Sequence, residues 1–165
     1  MTLSNPANIA LRRPTAADLR TLHGWELDPE SNAIAGTKPR DWQTFEARWR
    51  EILADPDGTR TGVTPRVILA DGAVVGLVNI SPHEGMSSIG YWLDRNHWGR
   101  GIASRAVALL LKEFPKRPLV ATAAGHNHAS LRVLERNGFR VVSRGRTPES
   151  ARSVERETVT LILDG

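Results

Sequence analysis

A glycine-rich turn between a predicted strand and a predicted helix carries the residue types most suited to chemistry. Residues 89–104 read IGYWLDRNHWGRGIAS. Gly99 and Gly101 allow the backbone to approach a ligand closely, and the first turn of a helix presents unpaired N–H groups with a partial positive charge. The turn therefore predicts a phosphate or pyrophosphate site, against the alternative that the glycines only turn the chain. It is neither the dinucleotide fingerprint nor a P-loop, because it lacks both G-x-G-x-x-G and Gly-Lys-Ser/Thr.

A second motif lies one predicted strand later, where residues 127–139 read NHASLRVLERNGF. Together the two motifs resemble the GNAT superfamily of N-acetyltransferases, and within it the branch of ribosomal-protein-alanine acetyltransferases. That branch pairs IGYWL…WGRGIA with N-x-x-S-x-x-V-L-E-x-x-G-F. The resemblance covers Val75 to Phe139 closely, and the order of predicted elements matches the family over almost the whole chain.

The resemblance implies an enzyme that transfers an acetyl group from acetyl-CoA to a primary amine by direct attack in a ternary complex. The backbone amides of the glycine turn are implied to hold the pyrophosphate, with Trp98 in place of the glutamine or arginine usual in the family. The edge of the preceding strand is implied to pair with the pantetheine arm. The implied coenzyme A-binding residues are Tyr91, Trp92, Leu93, Trp98, Gly99, Arg100, Gly101, Ile102, Ala103, Ser104, Asn127 and Ser130.

The same resemblance implies that Asn127 hydrogen-bonds the pantetheine and that Ser130 is a catalytic residue near the departing thiolate. Many relatives carry a tyrosine acid four residues after this serine, but the present chain has Leu134 there, and its only tyrosine is Tyr91. Attack of an amine on a thioester requires a hydrogen-bond donor for the oxyanion, which a strand N–H near Leu93 would supply. It also requires a proton or a hydrogen bond for the thiolate.

The acceptor side of the reaction carries weaker signals. Glu84 is a candidate catalytic base and substrate-binding residue, with His83 and Glu26 as alternative bases. Trp25 and Glu26 are candidate substrate-binding residues, and an ordinary surface or packing role is the alternative for each of these side chains. At pH 7 a free α-amine is roughly 10–15% neutral and a lysine well under 0.1%, so a base is less necessary for an α-amine.

Two acceptor classes remain open, namely the α-amine of a protein N-terminus and a small-molecule amine such as an antibiotic, an amino acid or a polyamine. The weak signal for a base favours an α-amine, and the lack of an acidic stripe disfavours an aminoglycoside. The alternative function is a non-catalytic regulatory module that binds acyl-CoA, against which the intact turn and Ser130 argue. The sequence also leaves open a homodimer and an acyl group longer than acetyl.

Proline and glycine residues divide the chain into short elements in the order β-α-α-β-β-β-α-β-α-β-β. Strand–helix–strand units require a parallel crossover and hairpins are antiparallel, so we expect an α/β (α+β) GNAT-like fold with a mixed sheet of about seven strands and four helices. The predicted strands span residues 8–13, 66–70, 73–80, 87–93, 118–123, 140–143 and 154–163. The predicted helices span residues 15–27, 41–53, 101–114 and 127–137.

Length and composition limit the function classes. A chain of 165 residues is expected to form a single domain over residues 1–165. It contains no cysteine, which excludes disulfides, thiolate metal sites and a cysteine nucleophile. The longest apolar run, Ala106 to Leu111, is far shorter than the ~20 residues of a membrane span. Residues 1–10 show no secretory signal, so we expect a cytoplasmic protein without a membrane partner.

The charged residues do not indicate a nucleic acid or another polyanionic macromolecule as a binding partner. Lysine plus arginine total 22 against 18 acidic residues, which gives a net charge of +4. The arginines are scattered among acids, without a basic run that contains interleaved aromatic residues, which disfavours a nucleic-acid partner. His126 and His128 flank Asn127 but have no further ligands nearby in the sequence, so no metal is expected.

Overall fold

A computed structural model describes residues 4–165 of the chain. The strands are β1 (Ile9–Arg12), β2 (Thr64–Ala70), β3 (Ala73–His83), β4 (Met86–Leu93), β5 (Leu119–Ala124), β6 (Arg140–Thr147) and β7 (Arg156–Leu163). The helices are α1 (Leu19–Glu26), α2 (Pro29–Ala35), α3 (Trp42–Leu53), α4 (Ile102–Glu113) and α5 (His128–Arg136). All seven strands form one sheet in the order β1-β2-β3-β4-β5-β7-β6. The predicted α/β fold and the seven-stranded mixed sheet are confirmed.

The sheet is antiparallel except between β4 and β5, which run parallel. The predicted hairpin between β2 and β3 turns at Asp71 and Gly72, whose φ angles are 48° and 86°. Two consecutive residues with positive φ are typical of a type I′ turn, which matches the twist of the flanking strands. The parallel pair is joined by α4, as the strand–helix–strand pattern of the sequence requires.

The helix count of four was wrong, because the structure contains a fifth helix, α2, between the first two predicted helices. Asp28 accepts a hydrogen bond from the backbone N–H of Ser31 as the N-cap, and Pro29 occupies the first helical turn. A cap of this kind contributes about 1 kcal/mol. Gly36, with a φ of 71°, ends the helix. The Asp-Pro and Gly signals were present in the sequence, but seven residues are too few to show an apolar period.

Two clusters of buried side chains lie on opposite faces of the sheet. The larger cluster includes Ala106, Val107 and Leu110 of α4, which have no exposed surface. The smaller cluster joins α1 to α3 and contains Phe45 and Trp49. Trp49 therefore has the packing role expected for an aromatic residue at helical spacing.

Successive side chains of β4 face opposite sides of the sheet. Tyr91 packs against the larger cluster, on the side of α4 and α5, and Trp92 packs against the smaller cluster, on the side of α1 and α3. The strand therefore presents one aromatic side chain to each face at the point where its pairing with β5 has ended. This alternation determines which helix each side chain can reach.

Candidate active site

The two parallel strands at the centre of the sheet separate soon after they meet. The only paired positions between β4 and β5 are Ser87 with Leu119 and Ser88 with Val120, whereas β4 remains paired with β3 as far as Leu93. The backbone of β4 after Ser88 therefore has one edge without a strand partner. A cavity of about 430 Å³ lies there, lined by Ser31, Ile34, Ala35, Tyr91, Trp92, Leu93, Trp98, Gly99, Gly101, Ile102, Ala103, Ser104, Asn127, Ala129, Ser130, Arg132, Val133 and Arg136.

The glycine turn forms one end of this cavity. Gly99 and Gly101 have φ angles of 76° and 71°, in the region that favours glycine, and a Cβ on either residue would face open space. Gly101 is the N-cap of α4, and no side chain caps the helix. The first backbone N–H groups of α4 therefore remain free to donate to an anion, which is the geometry expected of a phosphate site.

Trp98 and Arg100, both predicted to bind the coenzyme, have different surroundings. The indole N–H of Trp98 donates to the carbonyl oxygen of Leu93 at 3.1 Å, so Trp98 ties the turn to the end of β4. The guanidinium of Arg100 donates to the carbonyl oxygen of Ser4 and contacts Nδ1 of His97 at 2.7 Å. The side chain of Arg100 therefore does not line the cavity, and only its backbone lies in the predicted loop.

The start of α5 forms the opposite wall, where the two predicted polar residues meet. Asn127 is the N-cap, and its Oδ1 accepts from the backbone N–H of Ser130 at 3.2 Å. The hydroxyl of Tyr91 donates to Oγ of Ser130 at 2.9 Å. The sequence placed Tyr91 and Ser130 in one site but gave no sign of this contact, because 39 residues separate them along the chain.

Two arginines of α5 that the sequence analysis did not select also line the cavity. Ala129, Arg132, Val133 and Arg136 recur at a spacing of three and four residues, so they share one face of the helix. Within residues 4–165, neither Arg132 nor Arg136 forms an ion pair with a carboxylate. Two unneutralised guanidinium groups beside a helix N-terminus suit a ligand with several phosphates. The four-residue spacing of Arg132 and Arg136, which places both on one face of a helix, was the signal that could have identified them.

A smaller cavity, of about 210 Å³, adjoins the first one: Ser31, Trp92 and Leu93 line both cavities, and we call this shared region the junction. Its remaining lining residues are Gly24, Trp25, Asp28, Asp94, Arg95 and Asn96.

Trp25 thus lies in the second cavity, at the place predicted for the acceptor. Its indole N–H donates to Asp94 at 3.2 Å. The hydroxyl of Ser31 donates to Asp28 at 2.6 Å and, with further hydrogen bonds, holds the pKa of Asp28 below its ordinary value. Neither Asp28 nor Asp94 was predicted as a site residue, because an aspartate at such a position is also typical of a helix cap or a turn cap.

Glu26 lines neither cavity. Its side chain is only 12% exposed, and its carboxylate accepts hydrogen bonds from Arg40 at 2.7 Å and from Arg152 at 3.0 Å. Burial acts to raise the pKa of Glu26, but the hydrogen bonds and charges of the two arginines outweigh it, and the pKa is lowered. A carboxylate held in this way is a weak base, so Glu26 instead joins α1 to the segment before α3 and to the loop between β6 and β7.

Glu84 lies at the opposite end of β4 from the cavities. It occupies the tight turn between β3 and β4, where His83 pairs with Met86, and its side chain is 87% exposed. The strand rises ~3.3 Å per residue, so the seven residue steps from Met86 to Leu93 span about 23 Å. The structure therefore does not bring Glu84 or His83 to the reaction site, and neither is retained as the base.

Comparison with known proteins identifies the family of this chain. A model of the acetyltransferase (GNAT) domain matches residues 8–140. The chain belongs to the GNAT acetyltransferase family. The resemblance seen in the two motifs is thereby confirmed, together with the enzyme class that it implied, an acetyl-CoA-dependent N-acetyltransferase.

Individual relatives extend the comparison. The chain is 27% identical over 121 residues to the ribosomal-protein-serine acetyltransferase of Escherichia coli. The alignment covers 62% of this chain and 68% of the relative. The structure of Mycobacterium smegmatis RimJ in complex with CoA-disulfide aligns over 94% of this chain and 81% of its own, with a TM-score of 0.73 and 23% identity. Spermidine N-acetyltransferase of Vibrio cholerae, in complex with CoA and spermine, aligns over 94% and 95% of the two chains, with a TM-score of 0.79 and 14% identity.

The large cavity fits the acyl donor of this family, acetyl-CoA. It offers free N–H groups and two arginines for phosphates at one end, and an unpaired strand edge for the amides of the pantetheine arm. Among residues 4–165, no group of three or more histidine, aspartate or glutamate side chains is arranged to hold a metal ion. No helix in that range has the length and apolar character needed to cross a membrane.

We expect Gly101→Ala to weaken the binding of acetyl-CoA at least tenfold, or about 1.4 kcal/mol. The added Cβ would occupy the open space next to the N-terminus of α4, where the pyrophosphate is expected. The matched control is Gly72→Ala in the β2–β3 hairpin, which also has a positive φ and open space around its Cβ position. Isothermal calorimetry measures both affinities, and equal values for two folded variants would contradict the placement of the pyrophosphate.

We expect Arg132→Gln and Arg136→Gln each to weaken acetyl-CoA binding by about three- to tenfold at low salt. The difference should shrink as ionic strength rises, because exposed charges are screened over a Debye length of ~10 Å at 0.1 M salt. Arg48→Gln on α3 is the control, since Arg48 is an exposed arginine that lines neither cavity. A salt dependence identical to that of the unaltered protein would show that the α5 arginines do not contact the phosphates.

Proposed function

We propose that this acetyltransferase acetylates the α-amine of a protein N-terminus, and that the amine reaches the thioester through the smaller cavity. The observation that carries the proposal is the junction of the two cavities at Ser31, Trp92 and Leu93. An acyl group bound at the end of the pantetheine arm would meet an amine from the other side there. The smaller cavity presents the carboxylates of Asp28 and Asp94, which suit a cationic amine.

The electrostatics of the acceptor side favour an α-amine over a lysine or a polyamine. Among the carboxyl groups that line the smaller cavity, Asp28 has a pKa lowered mainly by the hydroxyl of Ser31, so it binds a cation better than it accepts a proton. An α-amine has an ordinary pKa of about 8 and supplies its own neutral form at pH 7. The E. coli relative is a ribosomal-protein-serine acetyltransferase, which agrees with a protein acceptor.

The reaction proceeds by direct attack of the neutral amine on the thioester carbonyl carbon. A C–N bond forms while the carbonyl oxygen takes negative charge, which a free N–H at the unpaired edge of β4 near Leu93 would stabilise. The C–S bond then breaks with its electron pair on sulfur, next to the hydroxyl of Ser130. Water removes the surplus proton of the product nitrogen, and water supplies the proton that the thiolate finally takes up.

Asp28 and Asp94 orient the incoming amine in this scheme. Asp94 follows the last residue of β4 directly and also caps the turn from Arg95 to His97, so its carboxylate is fixed close to the junction. Arg95 pairs with Asp28 at 3.4 Å and with Glu30, which limits the net negative charge of the cavity. An ammonium group is therefore attracted without being held so strongly that it cannot lose a proton.

The proposal is tested with a panel of amines and detection of released thiol. The panel contains peptides with a free N-terminal serine, alanine or methionine, the same peptides with a blocked N-terminus and an internal lysine, and spermidine. We expect kcat/KM to be at least tenfold higher for the free α-amines than for blocked peptides or spermidine, because a larger fraction of an α-amine is neutral. Preference for spermidine would identify a small-molecule acceptor. Binding of acetyl-CoA without turnover of any amine would support the non-catalytic module instead.

We expect Asp94→Asn and Asp28→Asn to raise the KM of the amine about tenfold, since each removes a charge-assisted hydrogen bond worth ~1.5–3 kcal/mol. The KM of acetyl-CoA should stay within twofold. Glu84→Gln is the matched control, because it removes an equal charge at the far end of β4. Steady-state kinetics measures all three variants. A loss of kcat/KM in Glu84→Gln alone would restore Glu84 as the acceptor carboxylate.

A further inference from the structure

The hydroxyl groups of Tyr91 and Ser130 form a pair inside the acetyl-CoA cavity. Tyr91 lies on β4 and Ser130 in the first turn of α5, and both side chains line the cavity. Oη of Tyr91 donates to Oγ of Ser130 at 2.9 Å. The rest of the tyrosine ring packs against the larger buried cluster, which fixes its direction. The contact therefore joins β4, whose free edge is expected to bind the pantetheine arm, to α5, which forms the opposite wall of the cavity.

The contact restricts the directions in which the hydroxyl proton of Ser130 can point. A serine hydroxyl has one proton to donate and two lone pairs that accept. The hydroxyl of Tyr91 donates to one lone pair of Oγ of Ser130, and the backbone N–H of Ser130 donates to Oδ1 of Asn127. Among residues 4–165, no side-chain or backbone oxygen accepts the hydroxyl proton of Ser130, so this proton is free to donate into the cavity that Ser130 lines. Burial raises the pKa of Tyr91, against a smaller opposing effect of the bond to Ser130, so Tyr91 keeps its proton and remains the donor.

We propose that Tyr91 is a positioning residue that holds Ser130 as a hydrogen-bond donor toward the departing sulfur of coenzyme A. The inference rests on the proposed function, since it assigns a role within the same transfer reaction. Tyr91 itself does not touch the reacting atoms. Its hydroxyl replaces the water or backbone group that would otherwise compete for the orientation of Ser130.

The pair supplies a hydrogen bond and not a transferred proton. A thiol has an ordinary pKa of about 8.5, and an aliphatic hydroxyl is a far weaker acid, so a thiolate cannot take the proton of Ser130. A relay that started from Tyr91 would leave a buried phenolate, which burial destabilises. The C–S bond therefore breaks with the electron pair on sulfur, Ser130 stabilises that charge, and solvent delivers the final proton.

A double-mutant cycle tests this role. We expect Ser130→Ala to lower kcat about 10²-fold, as for removal of a donor that faces developing charge, and Tyr91→Phe to lower kcat about tenfold. Adding Tyr91→Phe to Ser130→Ala should change kcat by less than twofold, because there is no longer a hydroxyl to orient. In Ser130→Thr, which keeps a hydroxyl, Tyr91→Phe should again cost about tenfold. The KM of acetyl-CoA should stay within twofold throughout.

Ser88→Ala is the matched control, because it also removes one hydroxyl from β4, where Ser88 bonds only to Ser81. Its kcat should equal that of the unaltered enzyme. The pH profile of kcat in Tyr91→Phe should keep its shape at a lower plateau, whereas loss of an alkaline limb would show that Tyr91 is an acid and overturn the inference. Equal losses from Tyr91→Phe with and without Ser130→Ala would also overturn it. Absence of transfer to any amine by the unaltered protein would instead reject the proposed function itself.

Discussion

The separation of β4 from β5 is the constraint on which the rest of the site depends. Backbone N–H and C=O groups require hydrogen-bond partners, and a strand in the middle of a sheet normally finds them on both sides. Here β4 is paired along its whole length with β3 but with β5 only at Ser87 and Ser88. Trp98 satisfies the carbonyl oxygen of Leu93 on this edge, and the other groups are left to solvent or to a ligand of amide character. A pantetheine arm meets that requirement because it pairs as an added strand does.

In the proposed complex, the two ends of the coenzyme are held by different physical means. At the phosphate end, Gly99 and Gly101 turn the chain in the left-handed region so that the first N–H groups of α4 face the cavity, and Arg132 and Arg136 add charge from α5. The same cavity contains the neutral pair of Tyr91 and Ser130, which we propose to lie at the thioester. In this proposal charge binds the cofactor where no reaction occurs, and a directed hydrogen bond stabilises the sulfur atom, whose charge changes.

Local signals located the glycine turn and the helix cap on the donor side but missed Arg132 and Arg136, and they were insufficient for the acceptor side. The glycine turn and the cap at Asn127 depend on neighbouring residues, and each lies where its motif predicted. The acceptor cavity instead depends on contacts between distant segments, such as Trp25 with Asp94 across 69 residues. Helix α2 was missed because its seven residues are held more by tertiary contacts than by an apolar period. Glu84 was chosen from its place before β4, although only the strand register shows which end of β4 faces the cavities.

Helix α2 lies where the acetyl donor and the amine acceptor are proposed to meet. Its Ser31 lies at the junction of both cavities, so the helix forms the shared wall between them. Arg156 donates to the carbonyl oxygens of Ala35 and Gly36 at the C-terminal end of α2, and His126 hydrogen-bonds to the carbonyl oxygen of Ala33. The wall is thus fixed from β7 and from the loop before α5. Two substrates held on either side of a fixed junction react at a high effective concentration. That geometry supports the proposed direct attack in a ternary complex, in a chain that contains no cysteine to carry an acyl group.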